Sequence, residues 1–182
     1  MSLSFREQSR RMALCALMAA LSCVILLLGG FLPLATFAGP ILAMICLIPP
    51  VCEYGLRAGL LTYAASALLA LILVADKELA LFYVFLGYYP AVRPLLNRIR
   101  GRRLRIAAKS TLFAISVTLM YLLILYLFRL EAVVQEFAGY SPFMLILLTA
   151  LGIATFLLTD RVLDVLTLAY RQKLRRFLFR RQ

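Results

Sequence analysis

The chain has 182 residues, of which 64% are hydrophobic and only 15% charged, too little polar surface to cover a water-soluble globule of this size. Its formal charge of +12 does not point to nucleic acid, because the 20 lysines and arginines gather between long apolar blocks instead of covering one solvated face. What remains is an all-α polytopic membrane protein, predicted as a bundle of six transmembrane helices with both termini cytoplasmic.

A membrane span needs about 20 apolar residues, or about 17 when short. The first such window is 12–32, closed by Pro33. Because apolar segments continue to the C-terminus, it is expected to be kept as a helix and not removed as a signal peptide. The second, 36–52, carries Pro40, Pro49 and Pro50 and is expected to be short and irregular. The third covers 58–74, the fourth 79–96 and the fifth 107–128. The sixth, 142–168, is long enough to extend past the membrane surface. A basic amphipathic tail, 170–182, mixes six cations with Leu174, Phe177, Leu178 and Phe179 and suits anionic lipid on the inner leaflet. No repeat, low-complexity tract or linker argues for a second domain, so residues 1–182 are read as one integral membrane unit.

Charge sets the expected orientation. Eighteen of the basic residues fall at the N-terminus, around Arg57, in the connection between the fourth and fifth segments, and at the C-terminal end. Only Lys77 and Arg129 fall on the other side. The basic side is therefore expected to be cytoplasmic, in a bacterial inner or cytoplasmic membrane. Parity requires the irregular second segment to cross as well, because otherwise the basic loop around Arg102 would lie outside. The outer connections are then Pro33–Thr36, Ala75–Glu78 and Arg129–Ser141, the second a tight polar turn within an antiparallel hairpin.

Few constellations carry chemistry. Cys15, Cys23, Cys46 and Cys52 all lie in apolar stretches without CxxC spacing, and the chain has no His, so they read as small apolar residues. Neither a nucleophile with a base nor a phosphate-binding glycine loop is visible, so the expectation is no enzyme, no cofactor and no metal. In the first helix Ala13, Ala16 and Ala20 make one smooth face, which suits either a partner interface or packing within the bundle. Gly29, Gly30, Pro33, Gly39 and Pro40 make an outer connection that is either a cap over an outward-facing pocket or a plain tight turn. Glu53, Arg57, Asp160, Arg161 and Asp164 are expected near one membrane face as an ion-pair cluster, for instance Asp160 or Asp164 with Arg57, and Arg161 with Glu53. Tyr83, Tyr121, Tyr126, Tyr140, Ser141 and Thr149 lie toward the outer half and are the candidates for a pocket that stacks on and hydrogen-bonds a small, largely uncharged or aromatic ligand.

The opening ArgArgMetAlaLeuCysAlaLeuMetAlaAla at 10–20, the Gly/Pro-rich outer turn and the six-segment layout resemble the substrate-binding S component of energy-coupling factor (ECF) vitamin transporters. In that family an AlaXxxXxxXxxAla face on the first helix contacts the coupling helices of a transmembrane T component. Ala16 and Ala20 match that face, with Ala13 as a possible extension. The resemblance implies capture of a scarce micronutrient from outside, toppling of the subunit to release it inside, and a pair of ATPases that drives the cycle. No vitamin-specific binding signature is matched. The alternative is a non-transporting membrane scaffold of a cell-envelope complex, such as a rod-shape MreD-like protein.

Overall fold

Helix α1 (Phe5–Gly29) begins in the basic stretch ahead of Met12 and is 25 residues long, about 37 Å at the α-helical rise. The computed structural model describes residues 5–31, 38–123 and 142–174; within the helices, the side chains at 121, 142–146, 148, 149, 173 and 174 are not described. The described residues are about 90% helix, joined by short turns, without strands.

The second predicted segment is where the structure differs most from a row of uniform spans. Helix α2 (Ala38–Ile45) has only 8 residues and stops at a turn formed by Cys46 and Leu47. Pro49 and Pro50 then open α3 (Ile48–Leu73), where a proline's missing N–H costs nothing because the first turn has no acceptor for it. Helix α3 bends at Gly55, whose φ of 79° and ψ of −169° lie in a region that only glycine adopts freely. The inner turn expected between the second and third segments is thus a glycine bend inside one helix.

The polar turn before the fourth segment is built as a cap. The Asp76 carboxylate accepts from the Glu78 and Leu79 amides at 3.0 and 3.2 Å, starting α4 (Lys77–Leu86). Lys77 Nζ reaches back to the Leu71 and Val74 carbonyls at the end of α3, at 3.0 and 2.9 Å. Gly87 and Tyr88 interrupt the fourth segment, and Pro90 in the first turn restarts it as α5 (Tyr89–Leu96). Helix α6 (Arg102–Leu123) starts earlier than the apolar pattern, and α7 (Pro142–Ala169) is followed by a π-helical turn, Tyr170–Leu174.

Contacts set the helix directions. Gly39 packs on Gly29, Ser22 Oγ donates to the Ala43 carbonyl at 3.1 Å, and the Arg11 guanidinium lies 5.8 Å from the Tyr54 ring centre. Residues 38–54 therefore retrace α1 from its C-terminal end toward its start. Gly30 packs on Val74, so the long arm of α3 runs parallel to α1. Helices α4 and α5 return along α3, with Ser66 against Tyr83 and Gly59 against Ala91. Helix α6 is antiparallel to them, with Tyr88 against Ser116 and Leu81 against Met120. Helix α7 is antiparallel to α6, with Gly152 against Phe113 and Asp160 against Lys109.

The main core gathers Leu26, Ala43, Met44, Ala70, Val74, Leu79 and Tyr83 from α1 to α4. The outer surface is equally apolar: Leu17, Val24 and Leu28 on α1, Leu61, Leu68 and Ile72 on α3, Ile115 and Leu119 on α6, and Leu151, Leu158 and Val165 on α7 are all exposed. Side chains of that kind facing outward from several helices belong against lipid, not water. Three helical stretches among the described residues are long and apolar enough to cross a membrane: Phe5–Gly29, Ile48–Leu73 and Lys77–Leu96.

Candidate functional site

The charged chemistry of the bundle is concentrated where α5, α6 and α7 meet. Tyr89 and Arg93 are four residues apart on α5 and share one face, as do Asp160 and Asp164 on α7. Asp160 Oδ1 accepts from the Tyr89 hydroxyl at 2.6 Å and from Arg93 Nε at 2.7 Å, and Oδ2 accepts from Lys109 Nζ at 2.7 Å. Arg93 Nη2 also donates to the Asp160 carbonyl at 3.2 Å and pairs with Asp164. The Arg93, Lys109 and Asp160 side chains are 6%, 4% and 10% exposed, whereas Asp164 is 49% exposed.

Two cations face two carboxylates, so the group is electrically balanced. Both Asp160 oxygens are hydrogen-bonded, which is what makes a desolvated ion cluster tolerable. One helical turn away lies an aromatic layer built by the same spacing in three helices: Tyr89 precedes Arg93 by four residues, Phe156 precedes Asp160 by four, and Phe113 follows Lys109 by four. Tyr89 meets Phe156 edge-on at 4.7 Å between ring centres, and Phe113 stacks on Phe156 at 4.6 Å. The charges are thereby sealed from the rest of the bundle.

A second, uncharged polar seam joins α3 to α4 and the Tyr88 turn to α6. Ser66 Oγ and the Tyr83 hydroxyl are 2.8 Å apart, the Tyr63 hydroxyl donates to the Val84 carbonyl, and Tyr88 meets Ser116 at 2.8 Å. The Tyr63 ring lies 6.0 Å from that of Tyr83 and 6.2 Å from that of Tyr88. Cys15, Cys23, Cys46 and Cys52 are free thiols. Among the described residues no cluster of His, Cys, Asp or Glu has metal-binding geometry.

The predicted residues fall into three groups. Ala13, Ala16 and Ala20 are exposed, while Ala19, Ser22, Cys23 and Leu26 form the buried side of α1. The structure pairs Asp160 and Asp164 with Arg93 and Lys109 and not with Arg57, while Arg57 and Arg161 are exposed and Glu53 is half-buried. The helix registers explain this, since Arg93 and Lys109 sit on the inward faces of α5 and α6, whereas Arg57 follows the Gly55 bend and points away. Of the pocket candidates, Tyr83 is fully buried with its hydroxyl committed to Ser66. Tyr126, Tyr140 and Ser141 lie outside the described residues; Tyr121 and Thr149 lie on α6 and α7 without a described side chain.

Charge counting missed Arg93, Lys109 and Tyr89 as members of the cluster. The signal was nonetheless present, because these two cations stand inside apolar helical runs while the other cations of that region lie in the polar connection.

Fold and site together define an all-helical bundle with the features of a membrane protein, an apolar exterior around buried polar layers. No family model matches the chain, and no curated protein or solved structure does so either.

Proposed function

We propose that the chain is the membrane-embedded substrate-capture subunit of an ATP-driven micronutrient uptake system, crossing the cytoplasmic membrane six times with both termini inside. The observation that carries this reading is the side of α1 on which the alanines lie. Ala13, Ala16 and Ala20 are exposed beside the buried face of α1 formed by Ala19, Ser22, Cys23 and Leu26, so the smooth strip is left for another helix. The alternating helix directions support six crossings, because α1 and the long arm of α3 run parallel and the intervening residues 38–54 run back between them. In this reading a T component and an ATPase pair dock on the α1 strip and supply the energy. This chain supplies recognition of a small uncharged or aromatic ligand, without a cofactor or catalysis of its own.

One observation favours the second reading, a scaffold of a cell-envelope complex like the MreD-type proteins: Tyr83 is packed and hydrogen-bonded in the core and not poised at an open pocket. Purification from the native membrane followed by mass spectrometry of bound proteins and small molecules separates the two. An ATPase pair with a membrane partner supports transport, and envelope-assembly proteins without a small molecule refute it. Ala16→Leu with Ala20→Leu is expected to abolish partner association while the chain still folds. Reporter fusions at both termini test the orientation, with a cytoplasmic signal expected from each.

A further inference from the structure

A groove of about 330 Å³ lies between α1 and α3 at the basic end of the bundle. Its floor is Ala19, Ala58 and Thr62, its walls are Cys15, Ala16, Leu61 and Ala65, and Gln8, Arg11 and Met12 stand at its mouth. The Thr62 hydroxyl is already committed to the Ala58 carbonyl at 2.9 Å, so the floor has little to offer a polar ligand. Met12, Ala16, Leu61 and Ala65 are exposed, so the groove opens sideways onto the surface that faces lipid. The Arg11 guanidinium is held over the Tyr54 ring, fixing a cation at the mouth.

The surrounding charge has the same sign: Arg6, Arg10, Arg11 and Arg57 outnumber Glu7 and Glu53 near this end of α1 and α3. An anion at the mouth and an aliphatic chain along the floor describe one kind of molecule. We infer that the α1–α3 groove binds an anionic phospholipid of the inner leaflet, its headgroup phosphate at Arg11 and one acyl chain against Ala16, Ala19 and Ala65. This site is separate from the basic tail, and it does not rest on the transport reading, since it requires only that the chain sit in a bilayer. Arginine fits the task because its planar donor fork matches a phosphate, and positive charge at the inner surface attracts acidic lipid.

The test is native mass spectrometry of the full-length, delipidated protein titrated with dioleoyl phosphatidylglycerol or dioleoyl phosphatidylcholine. One phosphatidylglycerol per chain is expected to bind about fivefold more tightly than phosphatidylcholine, the scale of one arginine at an anionic surface. Arg11→Gln is expected to remove that preference, Ala65→Leu to weaken both lipids by filling the groove, and Arg98→Gln, an exposed cation in the α5–α6 connection that does not line the groove, to change neither. Glycerol 3-phosphate, a headgroup without chains, is expected to compete poorly. Equal binding of the two lipids, a preference that survives Arg11→Gln, an equal loss with Arg98→Gln, or displacement by glycerol 3-phosphate would each overturn the assignment.

Discussion

Asp160→Asn is the sharpest probe of the buried cluster. The substitution keeps side-chain volume and one oxygen acceptor but removes the charge that Arg93 and Lys109 share. Of those two cations, 6% and 4% exposed, Arg93 keeps Asp164, which is 49% exposed and largely screened by solvent, while Lys109 loses the carboxylate it is paired with. Removing one partner of a buried ion cluster costs about 3–5 kcal/mol, because the desolvation penalty of the remaining charges stays unopposed. For a chain of this length that corresponds to a fall in Tm of about 6–20 °C. Thermal unfolding in detergent, read by a thiol-reactive fluorophore that labels the buried Cys23 and Cys46 as they become exposed, measures it. Lys109→Met added to Asp160→Asn restores charge balance between Arg93 and Asp164, so the double variant is expected to be more stable than additivity allows, by about 0.5–3 kcal/mol. A fall of less than about 3 °C for Asp160→Asn, or strict additivity in the double variant, would refute the reasoning.

Three further outcomes check other parts of the bundle in the same unfolding assay. A Cβ on Gly59 would overlap Val51 across the Gly55 bend and come within 3.3 Å of Ala91 on α5, so Gly59→Ala is expected to cost about 1–3 kcal/mol, chiefly by displacing Val51. Asp76→Ala removes the acceptor for two α4 amides and is expected to cost about 0.5–2 kcal/mol, loosening the hairpin without changing the core. Tyr83→Phe leaves Ser66 with its bond to the Tyr63 carbonyl and is expected to cost only about 0.5–1.5 kcal/mol; a neutral result would remove the hydroxyl seam as a source of stability.

The helical segments could be read because an apolar run of about 20 residues has few alternatives to a membrane helix; the ends at Leu73 and Leu96 fall within a residue of the expected ones, whereas α1 stops at Gly29, ahead of the expected stop at Pro33. Gly55 could not be read as a bend, since a lone glycine beside Glu53 and Arg57 looks like any inner turn. The partners of Asp160 and Asp164 could not be read for a related reason. Counting cations by membrane side treats Arg93 and Lys109 as loop charges, and only their helical register, with Tyr89 four residues before Arg93 and Phe113 four after Lys109, sets them inside the bundle. Sequence spacing carried that register, but nothing in composition said that α5, α6 and α7 would turn those faces toward one another.

The two polar layers also bear on how such a bundle can move. The charged layer ties α5, α6 and α7 together, and the hydroxyl seam ties α3 to α4 and the Tyr88 turn to α6, while Ser22 joins α1 to α2. Each bond is directional and lies where water cannot replace it, so sliding one helix past another would strand buried donors and acceptors at a cost of about 1–3 kcal/mol per group. Lipid outside offers no such resistance, because the exposed leucines and isoleucines meet hydrocarbon in any orientation. The low-cost motion is therefore tilting of the bundle as one body against the bilayer, not sliding of one helix past another.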